Sequence, residues 1–285
     1  MKKWLLYSLY IVSVTAFFIY YLFPSEQIKK YVIFKFANAN PGFGLKIDRI
    51  KPAFPPGLKF YTVSIFQNDK LMFESEDIKV MPAILSFFGS ETVFSFKSRT
   101  CQGIISGKAA LPKLAGDKKP NSKSVNIAAD LSGIQIKDIK AIQNAPYYKS
   151  LSGTADGTVT SDTLSGISAK LALKDCVVGL STPLFSLGNL TFKTVDADMT
   201  MDSNKKIQIK QLDAKGTQAS GTVSGSVEMK SPPGKSMLNL TGTIKPHPEL
   251  IAALGPAALI FKTGTGEKGL PFKIGGTLES PSFLK

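Results

Sequence analysis

The chain has 285 residues, of which 43% are hydrophobic and 20% charged, so it is a folded protein rather than a disordered one and is long enough for one large domain or two modest ones. Lys and Arg exceed Asp and Glu by 35 to 21, but the basic residues are spread singly along the chain, with no nucleic-acid-binding motif and no zinc spacing. These features predict a solvated, lysine-rich surface and exclude nucleic acid as an expected partner.

The first predicted element is an uncharged segment at 4–23 that follows two lysines. Twenty helical residues span about 30 Å, which is the thickness of the hydrocarbon core of a bilayer. Because Lys2 and Lys3 precede the segment, the positive-inside bias places residues 1–3 in the cytoplasm. A cleaved signal peptide is the alternative, but its apolar region is shorter and ends at a small-residue cleavage site. We therefore predict an uncleaved, single-pass transmembrane helix with the bulk of the chain on the far side.

A short juxtamembrane helix is predicted over 25–39. Ser25 is its expected N-cap, and Ile28 and Val32 are among the apolar residues that follow helical spacing. The Asn-Pro-Gly sequence at 40–42 is expected to end it. A second short helix is predicted at 247–254, where a proline suits the first turn.

Alternation of apolar and polar residues with period two dominates the rest of the chain. Ile167, Ala169 and Leu171 point to one face of a strand, while Ser168 and Lys170 point to the other. This pattern is typical of antiparallel sheets with one apolar face and one wet face. The same alternation occurs in 125–139, 190–201, 207–210 and 223–229.

A polar, charged stretch at 112–124 indicates a linker or a long loop. It divides a first β portion at 43–111 from a second β portion at 125–285. The predicted fold is therefore mainly β: a transmembrane helix and a short helix, followed by a strongly twisted, mostly antiparallel sheet.

Glycine and small hydroxyl residues recur inside the predicted strands, as in ASGTVSG at 219–225. Gly107 follows the same alternation as Ile105 and Ala109, which places it on the apolar face of its strand. Small residues on that face allow a sheet to curve. Relief of twist where strands cross and a groove that holds a ligand are both consistent with this pattern.

Three segments resemble the type II secretion system protein N family in its AsmA-like form. They are PAFPPGLKFYTVSIF at 52–66, GTVSGSVEMKSPPGKSMLNLTGTIKPHPEL at 221–250 and GLPFKIGGTLESPSF at 269–283. The last ends in a G-T-L-x-x-P-x-F pattern that AsmA-type proteins share. The resemblance extends over most of the chain, although 125–215 carries no signature.

That resemblance implies a bacterial inner-membrane protein with a β-rich periplasmic domain. Its implied role is a non-catalytic part of the type II protein secretion system, with other secretion-system subunits and inner-membrane lipids as partners. The alternative is an AsmA-like module that binds or transfers lipids, with acyl chains in a β groove.

We predict no catalytic, cofactor-binding or metal-ligating residue, no cofactor and no enzymatic activity. His247 is the only histidine and lies between two prolines, so it is expected to be a turn residue. No G-x-S-x-G motif is present, which disfavours a hydrolase. Cys101 and Cys176 match no metal or redox motif, and two separate buried thiols are favoured over a disulfide.

Phenylalanines are concentrated in a short region of the first β portion. Phe87 and Phe88 are adjacent, while Phe94 and Phe96 share a strand face. We expect these side chains to belong to the core. The alternative is a surface that dips into the bilayer or contacts an acyl chain.

Overall fold

A computed structural model describes residues 2–53, 56–113, 125–143, 148–162, 166–184, 187–254 and 269–284. Over these residues the α-helices are α1 (Lys2–Tyr21), α2 (Ser25–Ala39), α3 (Lys140–Gln143) and α4 (Pro248–Leu254). Short 3-10 helices cover Ile84–Phe88, Ile136–Asp138 and Pro233–Lys235. The strands are β1 (Phe43–Ala53), β2 (Gly57–Gln67), β3 (Lys70–Pro82), β4 (Glu91–Thr100), β5 (Gly103–Pro112), β6 (Asn126–Gln135), β7 (Ser150–Asp162), β8 (Gly166–Leu184), β9 (Leu187–Met201), β10 (Lys206–Gly216), β11 (Ala219–Glu228), β12 (Met237–Pro246), β13 (Leu270–Gly276) and β14 (Pro281–Leu284).

The strands of the described residues form one antiparallel sheet in which each strand pairs with the next along the chain. The predicted mainly β, antiparallel fold is confirmed. Such a meander follows from short connections, because antiparallel neighbours can be joined by tight turns and need no crossover helix. β5 pairs with β6, so both predicted β portions contribute to this single sheet. Most of the predicted linker, residues 114–124, lies outside the described residues.

Helix α2 has the bounds predicted from its periodicity. Its apolar side, which includes Ile28 and Val32, packs against a buried cluster of Ile47, Ile50 and Val63 from β1 and β2. The predicted cap is wrong: Pro24 is the N-cap residue, and its side chain makes no capping hydrogen bond. Packing of the apolar side, rather than an N-cap, therefore stabilises the start of this helix.

Helix α1 begins two residues before the predicted start at residue 4 and ends two residues before the predicted end at residue 23. Within the described residues, we find no helix with both the length and the apolar character needed to cross a membrane. The structure therefore shows an N-terminal helix and a β-rich fold, but not the predicted transmembrane helix.

The predicted alternation over 125–139 breaks in its second half. β6 ends at Gln135, and Ile136 begins a 3-10 helix in which it is buried. The pairing of β6 with β7 shifts register between Leu131 and Ile134, and Gly133 there has a positive φ of 67°. The bulge at this glycine thus changes the direction of the strand, so that Ile134 and Ile136 both point into one buried cluster.

Both cysteines are free thiols and lie at the same cluster. Cys176 is buried, while Cys101 is partly buried and packs against the cluster from the turn between β4 and β5. Burial raises the pKa of the Cys176 thiol, and the negative charge of Asp175 raises it further. The predicted free thiols are confirmed, although Cys101 is only partly buried.

Candidate functional site

One face of the sheet is apolar from strand to strand. Residues directly opposite each other on paired strands point to the same face, so the register defines transverse rows across the sheet. One row consists of Leu58, Val80, Phe96, Gly107, Ala129, Val159, Ala169, Met199, Ile209, Gly225, Leu240 and Ile274. The next row consists of Ile50, Phe60, Ile78, Ser98, Ile105, Leu131, Gly157, Leu171, Ala197, Leu212, Val223, Gly242 and Phe272.

These rows contain one hydroxyl side chain, that of Ser98, and no charge. Twelve steps of about 4.8 Å between neighbouring strands make the second row roughly 60 Å long, measured along the sheet. We call this surface the apolar face. At its N-terminal end α2 covers β1 and β2. Farther along, most of its side chains are only partly buried, so the face is not a closed core.

Glycines on the apolar face allow neighbouring strands to approach closely. A Cβ added to Gly107 would lie 2.2 Å from the carbonyl oxygen of Ala128, and one added to Gly242 would lie 2.1 Å from that of Thr222. Both contacts are with backbone atoms, which cannot move aside without opening the sheet. The recurring glycines thus lie on the apolar face, as their alternation predicts, and there they allow close approach of neighbouring strands.

A cavity of about 300 Å³ opens on the apolar face between β9 and β13. Leu250 of α4 closes one side of it and is itself buried. The size is at the lower end for a small-molecule site, and an almost entirely hydrocarbon wall suits a hydrocarbon ligand. We call this cavity the groove. Its main apolar walls are Leu190, Phe192, Leu212, Val223, Ile244 and Phe272.

The opposite face carries charge. Lys51, Lys59, Lys79 and Lys97 lie directly opposite one another on β1 to β4, and we call them the lysine row. Farther along this face, a hollow of about 490 Å³ is lined by aspartates of β7, β9 and β10 and by Lys170. Within the described part of the chain, no group of three or more His, Cys, Asp or Glu side chains is arranged to hold a metal ion.

Two of these aspartates have lysine partners. Asp156 accepts hydrogen bonds from the backbone N–H of Gly133, at 2.8 Å, and from Lys174 Nζ, at 3.0 Å. These bonds lower the pKa of Asp156 below its ordinary value. Asp198 lies 3.9 Å from Lys210 Nζ. The hollow is therefore partly neutralised and ion-paired, which is typical of a solvated sheet face.

His247 is not only a turn residue. Its Nδ1 lies 3.1 Å from the carbonyl oxygen of Thr217, which can only accept, so that nitrogen carries the proton. Its Nε2 lies at hydrogen-bond distance from Ser220 Oγ, at 3.1 Å. A serine beside a histidine has the residue types of a nucleophile and its base, but here a backbone carbonyl rather than a carboxylate orients the ring. The contact joins the start of α4 to β11, and its two residues are neighbours only in the folded chain.

A buried polar cluster links β3 and β4 near the lysine row. Ser75 is completely buried, and its Oγ lies 2.8 Å from Ser98 Oγ and 2.8 Å from the carbonyl oxygen of Arg99. Asp77 accepts a hydrogen bond from Arg99 and pairs with Lys59 Nζ at 3.1 Å. Burial alone would raise the pKa of Asp77, but the hydrogen bonds and charges of Arg99 and Lys59 together lower it.

We expect Asp77→Asn to reduce the free energy of unfolding by about 2 kcal/mol at pH 7, since it removes charged hydrogen bonds. The folded state lowers the pKa of Asp77, so its stabilisation is complete above the unfolded value of about 4. It is lost as the pH falls through the lowered pKa. Denaturation monitored by circular dichroism between pH 7 and pH 2 should therefore show a smaller acid-dependent loss in the variant. Equal pH dependence of wild type and variant would contradict this, and Asp48→Asn, at an exposed site on β1, is the control.

Comparison of the chain with protein-family models, curated proteins and solved structures gives no match. Assignment of a function therefore depends on the geometry above and on the residues of the sequence.

Proposed function

We propose that this protein is a non-catalytic, membrane-associated β-sheet module that holds an acyl chain along its apolar face. The observation that carries the proposal is the continuous pair of apolar rows, which leads from the end of α2 to the groove. A hydrocarbon chain gains about 0.8 kcal/mol for each methylene removed from water, and a long surface without charge supplies that burial repeatedly. Because glycines have no side chain, they leave space on the rows in which a hydrocarbon chain can lie.

Association with a membrane is supported by α1. Most of its described apolar side chains are exposed, and Trp4 is 81% exposed, so they favour a nonaqueous surrounding. The two lysines that precede them suit the headgroup region. We propose the bacterial inner membrane, with the sheet on the periplasmic side. The single-pass topology stays a prediction from the sequence.

The second candidate is the role that the sequence resemblance favours, a non-catalytic component of the type II secretion system. The segments at 52–66, 221–250 and 269–283 support it. In that case the sheet acts by contact with other subunits, for which its charged face is suited. The long apolar face that remains partly exposed favours acyl-chain binding, because a scaffold has no need of such a face.

Photo-crosslinking in cells tests the two candidates together. We expect p-benzoylphenylalanine in place of Phe272, which lines the groove, to form a lipid adduct that mass spectrometry of the purified chain detects. The same group in place of Lys273, the next residue on the opposite face, is the control and should give no lipid adduct. Adducts with proteins at both positions, and lipid at neither, would overturn the proposal in favour of the secretion role.

A further inference from the structure

The 3-10 helix Ile84–Phe88 lies at the same end of the sheet as the junction of α1 and α2. Phe23, in the link between these helices, packs against the buried cluster that contains Ile50. Pro52 lies two residues after Ile50 on β1. The register continues from Pro52 to Leu58 and from Leu58 to Val80, four residues before Ile84. This end of the sheet is therefore the end that faces the membrane, provided that α1 is membrane-associated as proposed.

This 3-10 helix exposes large apolar side chains to solvent. Leu85 is 84% exposed and Phe88 is 88% exposed, while Ile84 and Phe87 are about half exposed. The prediction that these phenylalanines belong to the core is thus wrong for Phe87 and Phe88, while Phe94 and Phe96 are partly buried. Exposed clusters of this kind mark contact with a partner or with a membrane.

The segment is held in place rather than loosely attached. Ser86 Oγ donates to the carbonyl oxygen of Ala83, at 2.6 Å, and accepts from the backbone N–H of Val93, at 3.0 Å. Lys113 Nζ donates to the carbonyl oxygen of Phe87. The exposed side chains are therefore presented on a fixed turn, so burying them in a partner costs little conformational entropy.

The lysine row runs beside this end of the sheet. Lys79 is three residues from Pro82, the last residue of β3, so the row lies about 10 Å behind the 3-10 helix. Lys59 is paired with Asp77, whereas Lys51 and Lys97, at the two ends of the row, are exposed and can face an anionic surface. Apolar side chains in front with lysines one headgroup layer behind are the arrangement of an interfacial membrane contact.

We infer that Ile84–Phe88 inserts into the surface of the bilayer beside α1, with the lysine row against anionic phospholipid headgroups. This inference rests on the membrane association proposed above. It gives the sheet a second attachment point, which fixes one end of the apolar face at the lipid surface.

The test uses the full chain in vesicles of brominated phosphatidylcholine with about one third phosphatidylglycerol. Trp4 is the only tryptophan, so the wild-type chain reports whether α1 is in lipid. In a Trp4→Phe background, Phe88→Trp reports the 3-10 helix, and Leu85→Trp is a second reporter in case one variant misfolds. Phe43→Trp, at the start of β1 and the opposite end of the sheet, is the matched control.

We expect bromine quenching at position 88 to be about three-fold stronger than at position 43, with a blue-shifted emission. Quenching of Trp4 together with equal, weak quenching at 88, 85 and 43 would overturn this inference and leave the proposed membrane association intact. Absence of Trp4 quenching would overturn both. Phosphatidylglycerol should increase the bromine quenching at position 88, and replacing Lys51 and Lys97 with Gln should remove that increase. An unchanged increase would exclude the lysine row from the contact.

Discussion

Val223→Asp is expected to reduce the yield of the lipid adduct by at least about ten-fold when p-benzoylphenylalanine stands in place of Phe272. Val223 lies on β11 within the groove, and the register connects it through Gly242 to Phe272. A carboxylate there has no cationic partner in the apolar rows. Covering it with hydrocarbon without a partner costs several kcal/mol, and about 1.4 kcal/mol already corresponds to a ten-fold loss.

The matched control for Val223→Asp is Ser224→Asp on the same strand. Ser224 is exposed on the opposite face, so this variant has the same charge and the same unfavourable strand propensity. It should retain the adduct at Phe272 within about two-fold, since successive strand residues face opposite sides. If both variants lose the adduct equally, the loss reflects damage to the sheet and the apolar face is not the lipid site.

Replacing Ile50 with alanine is expected to lower the free energy of unfolding by about 3 kcal/mol, through lost burial and the cavity that remains. Ile50 is 2% exposed and forms, with Ile47 and Val63, the cluster on which α2 packs. Loss of this contact also loosens α2, since the N-terminus of that helix has no side-chain capping bond. Denaturant titration of the full chain in detergent, followed by circular dichroism, measures the change.

Leu85→Ala is the control for Ile50→Ala, because Leu85 is a similar apolar side chain that is almost fully exposed. We expect a change within about 0.5 kcal/mol for this surface substitution. A loss at Ile50 no larger than that at Leu85 would show that α2 is not stabilised by the sheet.

The strands and helices α2 and α4 were predictable because the relevant patterns are local. Alternation with period two specifies which side chains share a face, and helical spacing specified α2 from Ser25 to Ala39. Pro248, which suits a first helical turn, indicated α4 near 247–254. Errors arose where a neighbouring strand decides the outcome. The bulge opposite β7 ended β6 early, and no local signal showed that Ile84–Phe88 would stay exposed.

The sequence by itself determined an antiparallel β protein with one apolar and one polar face, together with the helix that follows the N-terminal segment. These properties depend on the order of residues a few positions apart. Only the tertiary structure decided how the strands align, because register depends on pairing between residues far apart in the chain. That alignment turns separate apolar strand faces into one continuous surface, joins Ser220 to His247 and sets four lysines opposite one another.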